Sequence, residues 1–361
     1  MPKKVSEPQE DKVPTEEAKE PRSILLLDFA GLDEVVPSTP AYQAIKRRFP
    51  TSLLTLLTRQ TNVPFLSGDP TFYEVVGVSD NSKGGNPPFT ETLRTIMAFR
   101  RRGYEMAVDL NGTPFNAFLL HMANVPRRFG NISDRGSRYL TDNLEVATHS
   151  HNPLLRRLSL LEKIGCTTRR RKPVIHPSPG DERYIDDLLL ATGLGKKDRF
   201  MVIHPALEWN NAFPPHQMIK VIDWVAGEKP GLAVFLSGSE NNRLYVEEVA
   251  HGCAVRPSVF YLGLSRFAAF VKRCDLFIGD EGIHTILAAA VETRVVGLYL
   301  QENSIRSDTA IPPMNSEILI DILKNEFSRV ESSTSPKRRY YESEEFRRMR
   351  KENNLFLHTS P

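Results

Sequence analysis

The chain has 361 residues, of which 40% are hydrophobic and 25% charged, and its 47 basic and 44 acidic side chains leave a formal charge of +3. This length exceeds one ordinary hydrophobic core and predicts two domains of roughly 150 residues each. A charge so near neutrality does not indicate a nucleic-acid partner. The cysteines lack the spacing of a zinc site or a disulfide framework, and no apolar run reaches the roughly 18 residues of a membrane span. The composition therefore predicts a globular cytoplasmic protein.

The first half of the chain follows a segment that we predict to be a disordered leader, residues 1–21, which is rich in Lys, Glu and Pro. Short apolar runs then alternate with amphipathic stretches. The predicted strands are Ile24–Phe29, Ser52–Leu57, Glu74–Val78 and Glu105–Leu110, and the predicted helices are Pro40–Phe49, Phe89–Arg102, Pro114–Ala123 and Leu154–Ile164. Residues 125–148 are polar and are predicted to be loops. This alternation predicts a parallel sheet covered by helices on both faces.

The second half repeats the pattern after a stretch rich in arginine and proline, Thr167–Gly180, which is the best candidate for a domain boundary. Its predicted strands are Phe200–His204, Leu232–Leu236, Val259–Leu262, Leu276–Ile278 and Val295–Tyr299. Its predicted helices are Asp181–Thr192, Pro215–Ala226, Glu240–His251, Arg266–Cys274 and His284–Val291. Two such halves predict Rossmann-like domains over residues 22–175 and 176–330. A charged tail, residues 331–361, follows, with a possible helix at Tyr341–Lys351.

The first candidate site lies where the first predicted strand ends. A turn containing Asp33 and Glu34 follows this strand, and a helix begins within Ser38-Thr39-Pro40-Ala41. Ligands bind at the carboxyl edge of parallel sheets, and a carboxylate placed there can act as a general base. The alternative is that both acids only stabilise a helix N-terminus through its dipole.

Candidate binding residues of the second half also follow its predicted strands. His204 ends one strand, Gly238 and Glu240 follow the next, and the stretch from Asp280 through Glu281 and Gly282 to His284 leads into an alanine-rich helix. Small residues before a helix expose backbone N–H groups to an anion, and a carboxylate suits ribose hydroxyls. Each has a structural alternative: a strand-end histidine, a helix cap, or packing of the alanines against the sheet.

The first-half motif resembles glycosyltransferase family 9, the heptosyltransferases. Members of this family open with a strand, a basic residue, a Leu-Gly-Asp-x-Val stretch and Thr-Thr-Pro-Ala. A gapless alignment places Glu34 on the catalytic aspartate of the family, Asp33 on its glycine and Asp28 on its basic residue. The resemblance implies that Glu34, or else Asp33, is the catalytic base.

The second-half motifs extend the resemblance, which spans residues 22 to about 310. The strand ending in His204 matches a His-Pro stretch, and Asn211 falls on a family lysine that faces the donor phosphate. Glu240 resembles the glutamate that binds the donor nucleoside. Asp280 and Gly282 align with the Asp-Ser/Thr-Gly motif of the family. The remaining implied donor-binding residues are Glu281 and His284, the latter one residue early for the family histidine.

The resemblance implies a GT-B fold, in which two Rossmann-like domains with parallel sheets face each other across a cleft. It implies inverting transfer of a heptose or related sugar from a nucleotide-sugar, ADP-heptose, to a lipopolysaccharide or other glycan acceptor. It implies no cofactor and no metal, which agrees with the lack of an Asp-x-Asp motif. Contact with the cytoplasmic face of the inner membrane is expected, since the family acceptor is lipid-linked. The alternatives are a non-catalytic relative that binds a glycan or nucleotide, and an isomerase resembling sugar-nucleotide 2-epimerases.

Overall fold

The computed structural model describes residues 20–79, 89–132, 135–144, 152–196, 198–205, 213–280, 282–298 and 315–332. Within these residues the chain forms two parallel sheets, each with helices packed on its faces. The predicted α/β class with two parallel sheets is confirmed. The leader up to residue 19, the predicted helix Tyr341–Lys351, and the candidate residues Asn211 and Glu281 lie outside the described residues. Among the described residues no helix is long and apolar enough to cross a membrane.

The first sheet has six strands in the order β3-β2-β1-β4-β5-β6, all parallel. Their bounds are β1 Ser23–Asp28, β2 Leu53–Arg59, β3 Glu74–Val78, β4 Met106–Asp109, β5 Arg127–Gly130 and β6 Asp142–Asn143. The apolar run of β1 alternates between two cores: Ile24 and Leu26 pack into one cluster, and Leu25 and Leu27 into another. Burial on both faces explains why β1 is leucine-rich without alternation in the sequence.

In the described part of the first half, six α-helices accompany the sheet. They are α1 Leu32–Val35, α2 Thr39–Arg48, α3 Val63–Leu66, α4 Phe89–Arg102, α5 Pro114–Met122 and α6 Pro153–Glu162. Two of them have a side-chain N-cap that the sequence supplies: the Thr113 hydroxyl accepts from the Asn116 N–H, and the Asn152 amide oxygen accepts from the Leu155 N–H. Each cap satisfies one of the backbone donors that a helix leaves open at its start.

The second sheet has five strands in the order β11-β10-β7-β8-β9, also all parallel. They are β7 Arg199–His204, β8 Leu232–Ser237, β9 Ser258–Phe260, β10 Leu276–Gly279 and β11 Val295–Gly297. The helices are α7 Pro179–Ala191, α8 Pro215–Glu228, α9 Arg243–Gly252, α10 Leu264–Arg273, α11 Ile283–Ala290 and α12 Ser316–Ser332.

Both sheets reverse their strand order at one place, beside the first strand of each half. In the first sheet β1 lies between β2 and β4, and in the second β7 lies between β8 and β10. The crossover helices on either side of such a strand diverge, which opens a crevice at its carboxyl end. Ligand contacts are therefore expected at the carboxyl ends of β1 and β7.

Two predictions about local structure were wrong. Residues 125–148 were expected to be loops, but they contain β5 and β6, which complete the edge of the first sheet. Both strands are short and polar, so they lack the apolar pattern by which strands are predicted. Helix α9 begins at Arg243 and not at Glu240, because residues 239–242 form a turn held by the Asn242 side chain.

The linker between the halves runs along α2 towards the second sheet. The Val174 N–H donates to the Thr39 hydroxyl at 2.9 Å, and the Ile175 N–H donates to the Ala290 carbonyl at 3.0 Å. Consecutive linker residues therefore bind the first and the second half. The assignment of the domain boundary to residues 175 and 176 stays a prediction.

Candidate functional site

The end of β1 carries a buried ion pair. Asp28 is fully buried, and Arg157 of α6 binds it with two nitrogens, Nε to Oδ2 at 2.6 Å and Nη2 to Oδ1 at 2.8 Å. The Tyr42 hydroxyl donates to Oδ2 at 2.7 Å and the Asn111 amide donates to Oδ1 at 3.2 Å. Burial alone would raise the pKa of Asp28, but the Arg157 guanidinium and these donors hold it below its ordinary value.

Glu34 extends this ion pair towards the surface. Its Oε2 accepts from Arg156 Nη2 at 2.8 Å and from Arg157 Nη1 at 3.4 Å, and its side chain is 35% exposed. Both contacts fall on Oε2. Within the described residues Oε1 accepts no hydrogen bond, so one oxygen of a fixed carboxylate faces outward. Arg157 thus joins the buried Asp28 to the candidate base.

The short helix α1 determines which side chains face outward. Val35 and Val36 are fully buried, and the Ser38 hydroxyl donates to the Glu34 carbonyl at 2.7 Å. These contacts fix the backbone of α1, so its two acidic residues point away from the core. Asp33 is more exposed than Glu34 and forms no ion pair within the described chain. Its carboxylate folds back over Gly31, where a Cβ would collide with it.

At the end of β7, His204 stacks on His284 of α11. The rings of His204 and His284 lie face to face, with centroids 3.6 Å apart and planes inclined by 26°. Phe267 packs edge-on against both rings. His204 is 4% exposed, and burial together with His284 lowers its pKa to about 3. Burial lowers the pKa of His284 to about 4. Both rings are therefore neutral at physiological pH.

One ring nitrogen of His204 is available to a ligand. Nδ1 is buried and has no hydrogen-bond partner among the described residues. A neutral imidazole has one donor and one acceptor nitrogen. A neutral ring of this kind suits a hydroxyl group, which can donate and accept, better than a phosphate.

We expect the free energy of unfolding to fall as the pH drops below about 6.5, because the two histidines take up protons in the unfolded chain but stay neutral while buried in the folded chain. The pKa of each histidine is lower in the folded chain than the unfolded value of about 6.5. The stabilisation that is fully present above about pH 6.5 is therefore lost progressively as the pH falls, down to about pH 4 for His284. Between pH 7 and pH 5 each ring removes up to about 2 kcal/mol. Denaturant unfolding of the wild type and His284→Gln at both pH values measures this. Equal pH dependence of the two proteins would contradict it.

The loop before α11 is closed by its own carboxylate. The Gly282 N–H donates to Asp280 Oδ1 at 3.0 Å, and a Cβ on Gly282 would lie 2.9 Å from the same oxygen. Asp280 therefore holds the turn that presents the N-terminus of α11. Sequence reasoning assigned Asp280 to the ligand alone, but the geometry also gives it this structural role.

The turn after β8 also combines structural contacts with candidate ligand-binding residues. The Tyr261 ring covers Gly238, so a side chain at that position would collide with the ring. This contact explains the glycine without a ligand. Glu240 is 83% exposed, and its nearest charge is Arg243 at 3.8 Å. The Asn242 amide donates to the Pro205 carbonyl and so joins this turn to the end of β7. The structure thus brings Glu240 to the same sheet edge as His204.

The two candidate regions meet at the junction of the halves. Helix α1, which carries Glu34, packs beside α11, which carries His284. Leu32 of α1 and Ile283 of α11 both pack against the same core cluster. Sequence reasoning found candidate carboxylates on both sides of this junction: Asp33 and Glu34 in the first half, and Glu240, Asp280 and Glu281 in the second. It missed the arginines of α6, because a charged helix face gives no sign of which carboxylate it pairs with.

Two parallel sheets, with acidic side chains at the strand reversal of the first and histidines at that of the second, define the class: an α/β protein with the GT-B fold. The family model of glycosyltransferase family 9 (heptosyltransferase) matches residues 92–337. This match covers more than half of the chain, and the chain belongs to glycosyltransferase family 9. The family resemblance stated from the motifs is confirmed.

Individual relatives agree with this assignment. Lipopolysaccharide heptosyltransferase 3 of Escherichia coli K12 is 25% identical over 279 residues, which cover 74% of this chain and 79% of that protein. The structure of E. coli ADP-heptose lps heptosyltransferase II superposes with a TM-score of 0.65 at 15% identity, covering 86% of this chain and 100% of that chain. E. coli heptosyltransferase WaaC with ADP-2-deoxy-2-fluoro heptose gives 0.60 at 14% identity, with the same coverage. At these identities the structures establish the fold.

Proposed function

We propose that this glycosyltransferase moves a heptose, or a closely related sugar, from ADP-heptose to a lipopolysaccharide-type acceptor with inversion at the anomeric carbon. The observation that carries the proposal is the carboxylate of Glu34, which two arginines hold through one oxygen while the other faces outward. The names of the relatives support the sugar and the acceptor class. A lipid-linked acceptor would bring the protein to the inner membrane face.

In this mechanism Glu34 accepts the proton of the acceptor hydroxyl as that oxygen attacks the anomeric carbon. The attack displaces the nucleoside diphosphate from the opposite face, so a single displacement inverts the configuration. Arg156 and Arg157 keep the carboxylate oriented, and the ionised form is the one that can accept a proton. The leaving diphosphate carries away the electron pair of the broken bond.

The second half supplies the donor contacts. Backbone N–H groups at the start of α11 are suited to the diphosphate, because a helix N-terminus attracts an anion. The buried nitrogen Nδ1 of His204 and the carboxylates of Glu240 and Asp280 are suited to hydroxyl groups of the ribose or the sugar. Asn211 and Glu281 are proposed to contribute on the basis of the family alignment alone. Because packing against Tyr261 accounts for the glycine at position 238, Gly238 contributes to donor binding through the shape of its turn.

Glu240→Ala and Asp280→Ala are each expected to weaken binding of ADP-heptose by about 1–3 kcal/mol, the usual loss for a hydrogen bond to a charged group. Calorimetry of nucleotide-sugar binding measures the effect. Glu228→Ala removes an exposed carboxylate at the far end of α8 and serves as the matched control. Because Asp280 also closes its loop, circular dichroism must show an intact fold. Unchanged affinity for ADP-heptose in both site variants would contradict the proposed donor site.

Two alternative functions remain testable. The aspartate at position 33 and the asparagine at position 211, where the family alignment has a glycine and a lysine, favour a non-catalytic relative that binds a glycan or nucleotide. Such a protein would bind the donor but transfer nothing. An isomerase resembling sugar-nucleotide 2-epimerases would convert the nucleotide-sugar without any acceptor. Analysis of the products with and without acceptor distinguishes all three.

A further inference from the structure

A second group of cationic side chains lies away from the junction of the halves, where α2 ends and the linker begins. A depression of about 440 Å³ is found there. Its lining consists of Arg47, Thr167, Thr168, Arg169 and Arg170. We call this depression the Arg47 pocket.

The Arg47 pocket is separate from the candidate active site. Helix α2 begins at the sheet edge that carries Glu34, and its first residue, Thr39, bonds to the linker at Val174. Arg47 lies eight residues further along the helix, which at 1.5 Å per residue is roughly 12 Å away. The pocket therefore opens near the C-terminal end of α2, away from the sheet edge that carries Glu34, and none of the proposed donor-binding residues lines it.

The arginines of the Arg47 pocket lie close enough to repel one another. Within the described residues Arg47, Arg169 and Arg170 form no salt bridge. Burial and the neighbouring Arg170 lower the pKa of Arg47, which is the effect expected of like charges held close together. An anion that enters would relieve this repulsion.

The linker side of the pocket has a defined shape. The Arg170 N–H donates to the Thr168 hydroxyl at 3.0 Å, and Arg171 Nη1 donates to the Thr168 carbonyl at 2.5 Å. These bonds close a compact turn that places two arginines and two threonines around the opening. The hydroxyl protons of Thr167 and Thr168 can donate to an anion, in addition to the guanidinium groups.

We propose that the Arg47 pocket binds a phosphate-bearing anion, carried either by a soluble molecule or by a lipid headgroup. Planar guanidinium groups match the oxygens of a phosphate, and several cations around one opening favour a group with more than one negative charge. A single carboxylate would satisfy only part of this charge. The site is independent of the proposed transferase reaction.

Calorimetry of the full chain with inorganic pyrophosphate tests the soluble source, using the double variant Arg47→Gln/Arg170→Gln. The control is Arg100→Gln/Arg101→Gln, which removes the same charge from exposed arginines at the end of α4, outside the pocket. We expect affinity to fall about tenfold or more in the pocket variant and to change less than about twofold in the control. Pyrophosphate bound at the donor site would be unaffected by either variant.

Sedimentation with phosphatidylglycerol vesicles, compared with phosphatidylcholine vesicles, tests the lipid source. A loss confined to the pocket variant in either assay supports the site, and the assay that shows it identifies the source. Equal behaviour of all three proteins in both assays would overturn the proposal. A loss of similar size in the control would also overturn it, because binding would then reflect the net charge of the protein. All four arginines are exposed, so circular dichroism should show the same fold in each variant.

Discussion

Replacement of Glu34 by glutamine is expected to slow turnover by about 10²–10⁴-fold, the usual effect of losing a general base. Glutamine has nearly the same shape as glutamate, but its amide cannot take the acceptor proton. Donor binding should barely change, because the proposed donor contacts lie in the second half. Steady-state rates with saturating donor and acceptor, together with calorimetry of the donor alone, separate the two effects.

The comparison with Asp33→Asn decides which carboxylate is the base. Asp33 is more exposed and has no arginine partner within the described residues, so we expect a mild effect on turnover. A larger loss in Asp33→Asn than in Glu34→Gln would transfer the role to Asp33. The free energy of unfolding should change little in either variant, since both side chains are at the surface.

Replacement of Arg157 by methionine is expected to destabilise the fold by about 3–5 kcal/mol, because it leaves the Asp28 carboxylate buried without its counter-charge. Methionine keeps much of the apolar volume of the arginine stem, so the loss reflects the charge. Urea unfolding followed by circular dichroism measures it. The loss should shrink at low pH, because an unpaired buried carboxylate takes up a proton.

Arg156→Met is the matched control for this effect. It removes the neighbouring arginine of the same helix, whose side chain is 46% exposed and whose partner is Glu34. An exposed pair of this kind contributes about 0–1 kcal/mol. The double variant Asp28→Asn/Arg157→Met should recover part of the stability lost in Arg157→Met, because no charge is then left buried. Equal losses for Arg156→Met and Arg157→Met would contradict the role assigned to the buried pair.

Much of the fold could be predicted because the buried strands are apolar. The run from Ile24 to Leu27 and the strand ending at His204 have the lengths and compositions that are typical of strands in a covered parallel sheet. The short strands Arg127–Gly130 and Asp142–Asn143 could not be predicted in this way, since both are short and polar. Helix α12 was also missed, although Leu319, Leu323 and Phe327 share one buried face at helical spacing.

The candidate site could be predicted only in part. The positions of Glu34 and His204 after their strands are local in sequence, and the pattern of elements places them at the ligand-binding edge. The ion pair of Asp28 with Arg157 joins residues 129 positions apart. A gapless alignment places Asp28 where the family has a basic residue, and the structure supplies a cation there from α6 instead. Only the packing of α6 against α1 and α2 reveals this exchange.

Mass spectrometry of the wild-type protein and Glu34→Gln tests most directly whether the protein transfers heptose with Glu34 as the base. Both proteins are incubated with ADP-heptose, in the presence and absence of a lipopolysaccharide core acceptor that lacks the terminal heptose. We predict that the wild type releases ADP and adds one heptose to the acceptor, that nothing is consumed without acceptor, and that Glu34→Gln still binds the donor but turns over at least about 10²-fold more slowly. Donor binding without transfer by the wild type, or conversion of the nucleotide-sugar without acceptor, would contradict the account.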